Sequence, residues 1–88
     1  MVVPADPTTL ERRMLVADNL RSARRRRLLT QAELAGRSGV DRKTVSRIEN
    51  GVHAVTIDHL FALAEALEIP AASLVHDHSA AAALRRGA

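Results

Sequence analysis

The chain has 88 residues, one Phe, no Tyr, Trp or Cys, and a formal net charge of +3. This length allows one domain, and a core without Tyr or Trp must be aliphatic, which favours a small helical bundle over a thin sheet. The absence of Cys excludes disulfide scaffolds and thiolate chemistry and indicates a cytoplasmic protein, and no segment is apolar enough for a membrane span or a signal peptide.

The N-terminal part of the chain predicts a short lead-in followed by one long helix. Residues 1–8 show no apolar periodicity and are expected to be flexible. Thr8 and Glu11 form a capping box, and apolar side chains then recur at three- and four-residue spacing as far as Arg27. This helix ends in four consecutive Arg residues, which form either a phosphate-binding patch or a well-solvated helix face.

Two short helices joined by a tight turn are predicted next. A second capping box begins a helix over residues 31–37, and Gly39 supplies the left-handed backbone that ends it. Asp41 caps a third helix over residues 42–50, whose outer face is polar. The side chains assigned to that face are Arg42, Lys43, Ser46, Arg47 and Asn50. A helix with a donor-rich outer face is what the major groove of DNA, about 12 Å wide, can accept.

The C-terminal part of the chain predicts two further helices. The fourth begins at Ile57 and carries a wide apolar stripe, and a short fifth helix ends at Val75. The Ala-rich residues 76–88 have little to pack against and are expected to form a flexible tail. The sequence therefore predicts an all-α, compact bundle of about five helices over residues 9–75.

Basic side chains are concentrated in the first half of the chain. Residues 1–50 hold 11 Lys and Arg against 6 Asp and Glu, whereas residues 51–88 hold 2 against 4. The first half is therefore the part expected to meet a polyanion.

The stretch LTQAELAGRSGVDRKTVSRIENG, followed by TIDHLFALAEALEIPAASLV, resembles a known family. It is similar to the lambda-repressor-like, or Cro/repressor (Xre-type), helix-turn-helix domains of bacterial and phage transcriptional regulators. The resemblance covers about residues 16–75 and implies a lambda-repressor-like DNA-binding fold with a central helix-turn-helix at residues 31–50. It also implies a sequence-specific regulator that binds double-stranded DNA, most simply a repressor that occupies a palindromic operator as a homodimer.

The resemblance implies roles for individual residues as well. Gln31 matches a position that clamps a phosphate, and residues of the third helix match positions that reach base edges or the DNA backbone. The DNA contacts implied in this way are Gln31, Arg42, Lys43, Thr44, Ser46, Arg47 and Asn50. Arg24 and Glu49 match a partly buried ion pair between the first and third helices. The neighbouring basic residues Arg21, Arg25 and Arg27 are either solvated or near the DNA backbone.

The chemistry of the third helix agrees with a base-reading role. Arg42 and Arg47 can each donate two N–H bonds to O6 and N7 of guanine, and Lys43 can donate as a point charge. We therefore expect a guanine-rich half-site.

Two departures from the family pattern are visible. Leu28 stands where these domains usually have Gly after the first helix. The loop after the third helix carries Val52 and Ala54 in place of basic or polar residues, which leaves His53 as its candidate phosphate contact. The path from the first helix into the second is therefore expected to differ from that of the family. The loop after the third helix is expected to bind phosphate less firmly than it does in the family.

A homodimer needs an interface, and the sequence offers two candidates. The first is a surface near the fourth helix, formed by Val52, Val55, His59, Phe61 and Val75. The second is the N-terminal extension of the first helix, which carries Leu10, Met14 and Leu15. A two-fold partner is expected because such domains read half-sites about 34 Å apart.

Several alternatives share the same fold. A restriction-modification controller protein or an antitoxin would use the same DNA chemistry with a different role, and a toxin or RNA polymerase is a possible protein partner. A different class of alternative is a protein-interaction module without specific DNA binding. Three basic donors on the third helix favour DNA over that alternative.

We expect neither catalysis nor a cofactor. The sequence has no Gly-x-Ser-x-Gly elbow and no phosphate-binding loop, and it is too short for a substrate pocket with a second layer. His76 and His78 resemble a metal motif only weakly, because no third ligand follows at helical spacing. No metal site is therefore predicted.

Overall fold

The computed structural model describes residues 6–78, and within that range the chain forms five α-helices and no β-strand. The helices are α1 (Pro7–Arg26), α2 (Gln31–Ser38), α3 (Arg42–Glu49), α4 (Ile57–Leu67) and α5 (Ala72–Val75). The prediction of an all-α bundle of about five helices is confirmed. Residues 1–5 of the expected lead-in and residues 79–88 of the expected tail lie outside the described range. None of the helices within residues 6–78 is long and apolar enough to cross a membrane.

The first helix begins earlier than predicted. The side chain of Asp6 accepts a hydrogen bond from the Thr9 amide at 2.7 Å, and Pro7 occupies the first helical position. Asp is a strong N-cap, and Pro suits the first helical position because it has no amide proton that would need a partner there. The cap therefore lies at Asp6 and the predicted capping box at Thr8 is wrong. The last residues of the expected lead-in belong to the start of α1.

The second helix begins as predicted, at Gln31, and ends one residue later than predicted, at Ser38. The Thr30 hydroxyl accepts a hydrogen bond from the Glu33 amide at 3.0 Å, and the Glu33 carboxylate accepts one from the Thr30 amide at 2.9 Å. At the other end Gly39 has φ 75°, the left-handed conformation that Gly adopts without a steric penalty. This turn directs the chain sharply from α2 into α3.

The core is aliphatic and draws on every helix. Its fully buried side chains include Leu20, Leu34, Val45, Ile48, Leu63, Leu67 and Leu74. Helix α3 packs against α1 and α2, α2 also packs against α4, and α5 packs against α1. Ile57, which was assigned to the apolar stripe of the fourth helix, is 67% exposed, because the residues of α4 that turn inward start at Leu60.

The segment after α5 is held to the bundle as far as His78. The Asn19 side-chain amide donates to the backbone carbonyls of Leu74, at 3.0 Å, and His76, at 2.9 Å. The His78 ring lies 3.1 Å, measured from Nε2, from the Ser73 carbonyl. His76 and His78, at the start of the expected tail, therefore have defined contacts with α1 and α5.

Leu28 is the residue that turns the chain between α1 and α2. It has φ 57° and its side chain is 89% exposed. A residue with a β-carbon is strained in this left-handed conformation, and the exposed side chain gains little packing in return. The turn thus keeps the geometry that suits Gly while carrying Leu.

Candidate nucleic-acid interface

Helix α3 has a buried face and an exposed face. Val45, Ile48 and Glu49 are buried, and they hold the helix against α1 and α2. The exposed side chains Lys43, Arg47 and Asn50 are spaced four and three residues apart, so they lie along one stripe of the helix. The helix therefore presents hydrogen-bond donors to solvent while its opposite face fixes it to the domain.

The N-terminal end of α3 extends this polar surface. Arg42, Lys43 and Ser46 line a shallow depression, in which the two basic side chains are exposed and Ser46 is half-buried. The stripe and the depression together contain the residues of α3 predicted to contact DNA, apart from Thr44.

The hydroxyl of Thr44 already has a partner. It donates to Asp41 Oδ2 at 2.9 Å, while Asp41 Oδ1 accepts a hydrogen bond from the Lys43 amide at 2.9 Å. The Thr44 hydroxyl, and next the Lys43 amide, lower the pKa of the Asp41 carboxyl. Since a hydroxyl has one proton to donate, Thr44 in this arrangement can offer a ligand its oxygen lone pair and its methyl group.

Gln31 is the first residue of α2 and is half-buried. Its side-chain Nε2 donates to Glu49 Oε1 at 3.2 Å. One proton of the Gln31 side-chain amide is therefore directed to α3, which leaves the second proton and the first backbone amides of α2 as donors for an anion.

Arg24 and Glu49 form a buried ion pair between α1 and α3. Arg24 Nε lies 2.6 Å from Glu49 Oε2, Nη2 lies 2.9 Å from Oε1, and Nη1 donates to the Leu29 carbonyl at 2.8 Å. The Glu49 side chain is 2% exposed. Hydrogen bonding to Glu49 raises the pKa of Arg24 despite its burial. The Arg24 side chain thus also binds the turn before α2, so three elements meet at one guanidinium.

Two neighbouring Arg residues have structural contacts that were not predicted. Arg21 donates to the backbone carbonyl of Glu49 at 2.9 Å and forms an ion pair with Asp18 at 2.5 Å. Arg27 forms an ion pair with Glu68. Neither residue is simply solvated, whereas Arg25 is exposed. The spacing of Asp18 and Arg21 was a visible signal for the first pair, but no local pattern links Arg27 to Glu68.

The surface near α4 differs in part from its predicted composition. Val52, Phe61 and Val75 are exposed, by 69%, 59% and 48%. Val55 is half-buried against the core and His59 is also half-buried, so both contribute less to an open surface than expected. Ile57, one turn before Phe61, is an exposed apolar residue that was missed.

The second apolar surface lies on the N-terminal half of α1. Leu10 and Met14 are 46% and 43% exposed, and Leu15 is half-buried. Both candidate dimer surfaces therefore expose apolar side chains.

Within residues 6–78, no group of three or more His, Cys, Asp or Glu side chains is placed to hold a metal ion. The rings of His76 and His78 contact each other edge to face, with centroids 4.6 Å apart.

Comparison with known proteins identifies the class of protein that carries such a helix pair. The family model HTH_3, described as helix-turn-helix, matches residues 20–74. This match covers more than half of the chain, so the protein belongs to the HTH_3 family of DNA-binding transcriptional regulators. The predicted relation to lambda-repressor-like, Xre-type domains is confirmed.

Individual relatives cover most of the chain. An uncharacterized HTH-type transcriptional regulator of Sinorhizobium fredii is 36% identical over 66 residues, which are 75% of this chain and 86% of the relative. The structure of a hypothetical transcription factor, NHTF, from Neisseria has a TM-score of 0.77 at 28% identity, over 94% of this chain and 97% of that chain.

Two further solved structures are similar. The restriction-modification controller protein C.AhdI from Aeromonas hydrophila has a TM-score of 0.69 at 34% identity, over 70% of this chain and 94% of that chain. An HTH_3 family transcriptional regulator from Vibrio cholerae has a TM-score of 0.73 at 26% identity over 75% of this chain, which spans 37% of that longer chain.

Proposed function

We propose that the protein is a sequence-specific DNA-binding regulator that places α3 in the major groove. The observation that carries this proposal is the stripe of Lys43, Arg47 and Asn50 on the exposed face of a helix whose other face is buried. A helix in the major groove needs outward donors for base edges and a firm attachment to its domain. Membership of the HTH_3 family supports the same role.

The individual contacts proposed combine the chemistry of the side chains with the roles that the family resemblance implies. Arg42 and Arg47 read guanine through paired N–H donors, and Lys43 adds a point charge. Thr44 and Ser46 lie beside these basic residues and contact a base or a phosphate. Asn50 contacts the DNA backbone at the C-terminal end of α3. Gln31 and the first amides of α2 hold a phosphate, because unpaired amides and the helix dipole favour an anion there.

We further propose that a homodimer occupies a palindromic operator and represses by covering a promoter. Two copies related by a two-fold axis place two α3 helices one DNA turn apart, which a single helix pair cannot do. The interface proposed for this dimer is the surface near α4 formed by Val52, Val55, His59, Phe61 and Val75, and the N-terminal half of α1 is its rival.

Selection of bound sequences from a random duplex pool tests the proposal. A recovered palindrome with guanine-rich half-sites about one turn apart is the expected result. A pool without a motif, bound weakly and lost steeply with salt, would show that only nonspecific electrostatics are at work. That outcome would favour a protein-interaction module instead.

Variants of two residues separate base reading from phosphate binding. Arg47→Ala should cost about 1 to 3 kcal/mol on the selected site and relax its base preference, because it removes a base contact. Gln31→Ala should weaken selected and random duplexes by similar factors, since it removes a phosphate contact. Arg26→Ala, at an exposed residue of α1, is the charge-matched control for Arg47. Equal losses on selected and random DNA for Arg47→Ala would remove it from the base-reading set.

A second candidate function is that of a restriction-modification controller protein. It is favoured by the similarity to C.AhdI, which is 34% identical and is matched over 94% of its length. An antitoxin would share the DNA contacts and add a toxin as partner. A promoter-reporter assay with the selected site gives the sign of regulation, and co-purification with RNA polymerase or a toxin identifies a protein partner.

A further inference from the structure

We propose that Arg21, held by Asp18, is a positioning residue that fixes the C-terminal end of α3 for base reading. This inference rests on the proposed function. The guanidinium of Arg21 joins two elements, because Nη1 donates to the Glu49 carbonyl at 2.9 Å and Nη2 pairs with Asp18 Oδ1 at 2.5 Å. Glu49 is the last residue of α3, so the contact is made at the end of that helix.

The end of a helix is where such a contact matters. The last four carbonyls of an α-helix have no partner within the helix, and a cation beside them is favoured by the helix dipole. Arg21 supplies a donor and a positive charge to one of these carbonyls. The last turn of α3 carries Arg47 and is followed by its C-cap, Asn50, and the proposed function places both residues on DNA.

A second contact from α1 supports the same end of α3. Gly51, which follows the C-cap of α3, is buried and has φ 72°. A β-carbon built on Gly51 would collide with Met14 Sδ, so the thioether lies directly over the backbone of the chain as it leaves α3. Met14 and Asp18 precede the segment that matches the family model, which begins at residue 20. The support for α3 therefore comes in part from an extension of α1.

The same geometry argues against a direct phosphate contact for Arg21. Both terminal nitrogens of the guanidinium have protein acceptors, its charge is paired with Asp18, and its side chain is only 31% exposed. Arg25 lies one turn further along α1 and is exposed. It serves as the matched control, because its replacement removes the same charge from the same helix.

The first test compares binding of the selected operator and of random duplex. Arg21→Ala should lower the ratio of operator to random affinity by about tenfold, as expected for the loss of a charge-assisted hydrogen bond. Arg25→Ala should leave that ratio unchanged. If Arg21 instead bound phosphate, both affinities would fall together and the slope of log affinity against log salt would shrink by about 0.9.

The sign of a second variant separates the two roles. Asp18→Asn keeps the charge of Arg21 but removes the negative charge that holds its guanidinium. A positioning role predicts a lower ratio of operator to random affinity, whereas a phosphate-binding role predicts tighter binding of both duplexes, since a negative charge has been removed. An unchanged ratio in Asp18→Asn and Arg21→Ala would overturn the proposal.

Hydrogen exchange without DNA keeps the inference separate from the proposed function. The amides of Asn50 and Val52 are bonded to the carbonyls of Ser46 and Arg47, at 3.0 and 3.2 Å. These amides should exchange several-fold faster in Arg21→Ala than in Arg25→Ala. Equal exchange would refute the positioning role while leaving DNA binding intact. Faster exchange in a protein that selects no DNA motif would refute the proposed function and, with it, the role in base reading.

Discussion

At the scale of single residues, Leu28 has a side chain that does not suit its backbone. Its φ of 57° is a conformation that costs a residue with a β-carbon about 1 to 2 kcal/mol, and Gly avoids this cost. The position was recognised in the sequence as one where related domains carry Gly. The sequence could not show that Leu28 would itself adopt the left-handed conformation.

Leu28→Gly should therefore stabilise the protein. The relief of strain exceeds the extra entropy that Gly gives the unfolded chain, so we expect a gain of about 0.5 to 1 kcal/mol in the free energy of unfolding. Urea unfolding monitored by circular dichroism measures it. Leu28→Ala keeps the β-carbon and is the control, so an equal gain in both variants would mean that removing an exposed apolar side chain, and not strain, is responsible.

At the scale of helices, three exposed carboxylates hold the starts of α1, α2 and α3. Asp6 and Glu33 have pKa values lowered chiefly by the amides of Thr9 and Thr30, and the pKa of Asp41 is lowered chiefly by the Thr44 hydroxyl. A carboxyl whose pKa is lower in the folded state stabilises the fold fully above its unfolded pKa, near 4. That contribution is lost as the pH falls through the folded value.

Acid should therefore destabilise the protein below about pH 4, whereas stability should vary little with these groups between pH 5 and 7. Asp41→Asn keeps a good N-cap but removes one titrating group. We expect its urea midpoint to fall less between pH 6 and pH 3 than that of the parent protein. An identical fall would show that the Asp41 cap does not contribute to the acid sensitivity.

The Arg24–Glu49 pair is the electrostatic link between α1 and α3. Arg24→Met should cost about 3 to 5 kcal/mol, because it leaves the Glu49 carboxylate buried without its cation. Arg26→Met, at an exposed residue of the same helix, should change stability by less than about 0.5 kcal/mol.

The double variant Arg24→Met with Glu49→Met tests the cause. It removes both charges and should be more stable than Arg24→Met alone, since no unpaired charge remains buried. A double variant that is less stable than either single variant would show that packing around the pair matters more than charge. Equilibrium unfolding of the parent protein, Arg24→Met, Glu49→Met and the double variant measures the differences in stability.

At the scale of the whole molecule, local signals predicted more than distant ones. The Thr30 capping box, the Gly39 turn and the apolar spacing each act within a few residues, so the order of the helices and most of their bounds followed from the sequence. The Glu49 carbonyl bonded to Arg21 lies 28 residues away and the Glu68 carboxylate paired with Arg27 lies 41 residues away, so both contacts depend on how the helices pack. The exposure of Ile57 and the partial burial of Val55 likewise depend on how α4 packs against the core. Apolar periodicity predicts which face of a helix turns inward but not where along the helix that burial begins.

The proposed homodimer is a property of the whole molecule, and the two candidate surfaces predict different variants that would disrupt it. If the dimer forms through the surface near α4, Phe61→Glu should give monomers by sedimentation and lower affinity for the full operator more than for a half-site. Leu10→Glu should have the same two effects, on oligomeric state and on operator affinity, if the N-terminal half of α1 is the interface. Leu28→Glu, at the most exposed of the large apolar side chains described, is the control. A Phe61→Glu protein that remains dimeric would exclude the surface near α4.

The three ion pairs of Arg21, Arg24 and Arg27 also bear on how the protein would find its site in a genome. Guanidinium groups left free on α1 and just after it would hold the protein on any duplex and slow its transfer between segments. Here carboxylates of the same chain neutralise three of these groups, so random chromosomal DNA competes less strongly for each molecule. If the protein binds an operator as proposed, a smaller number of copies would then keep a single operator occupied, because fewer of them would be retained elsewhere.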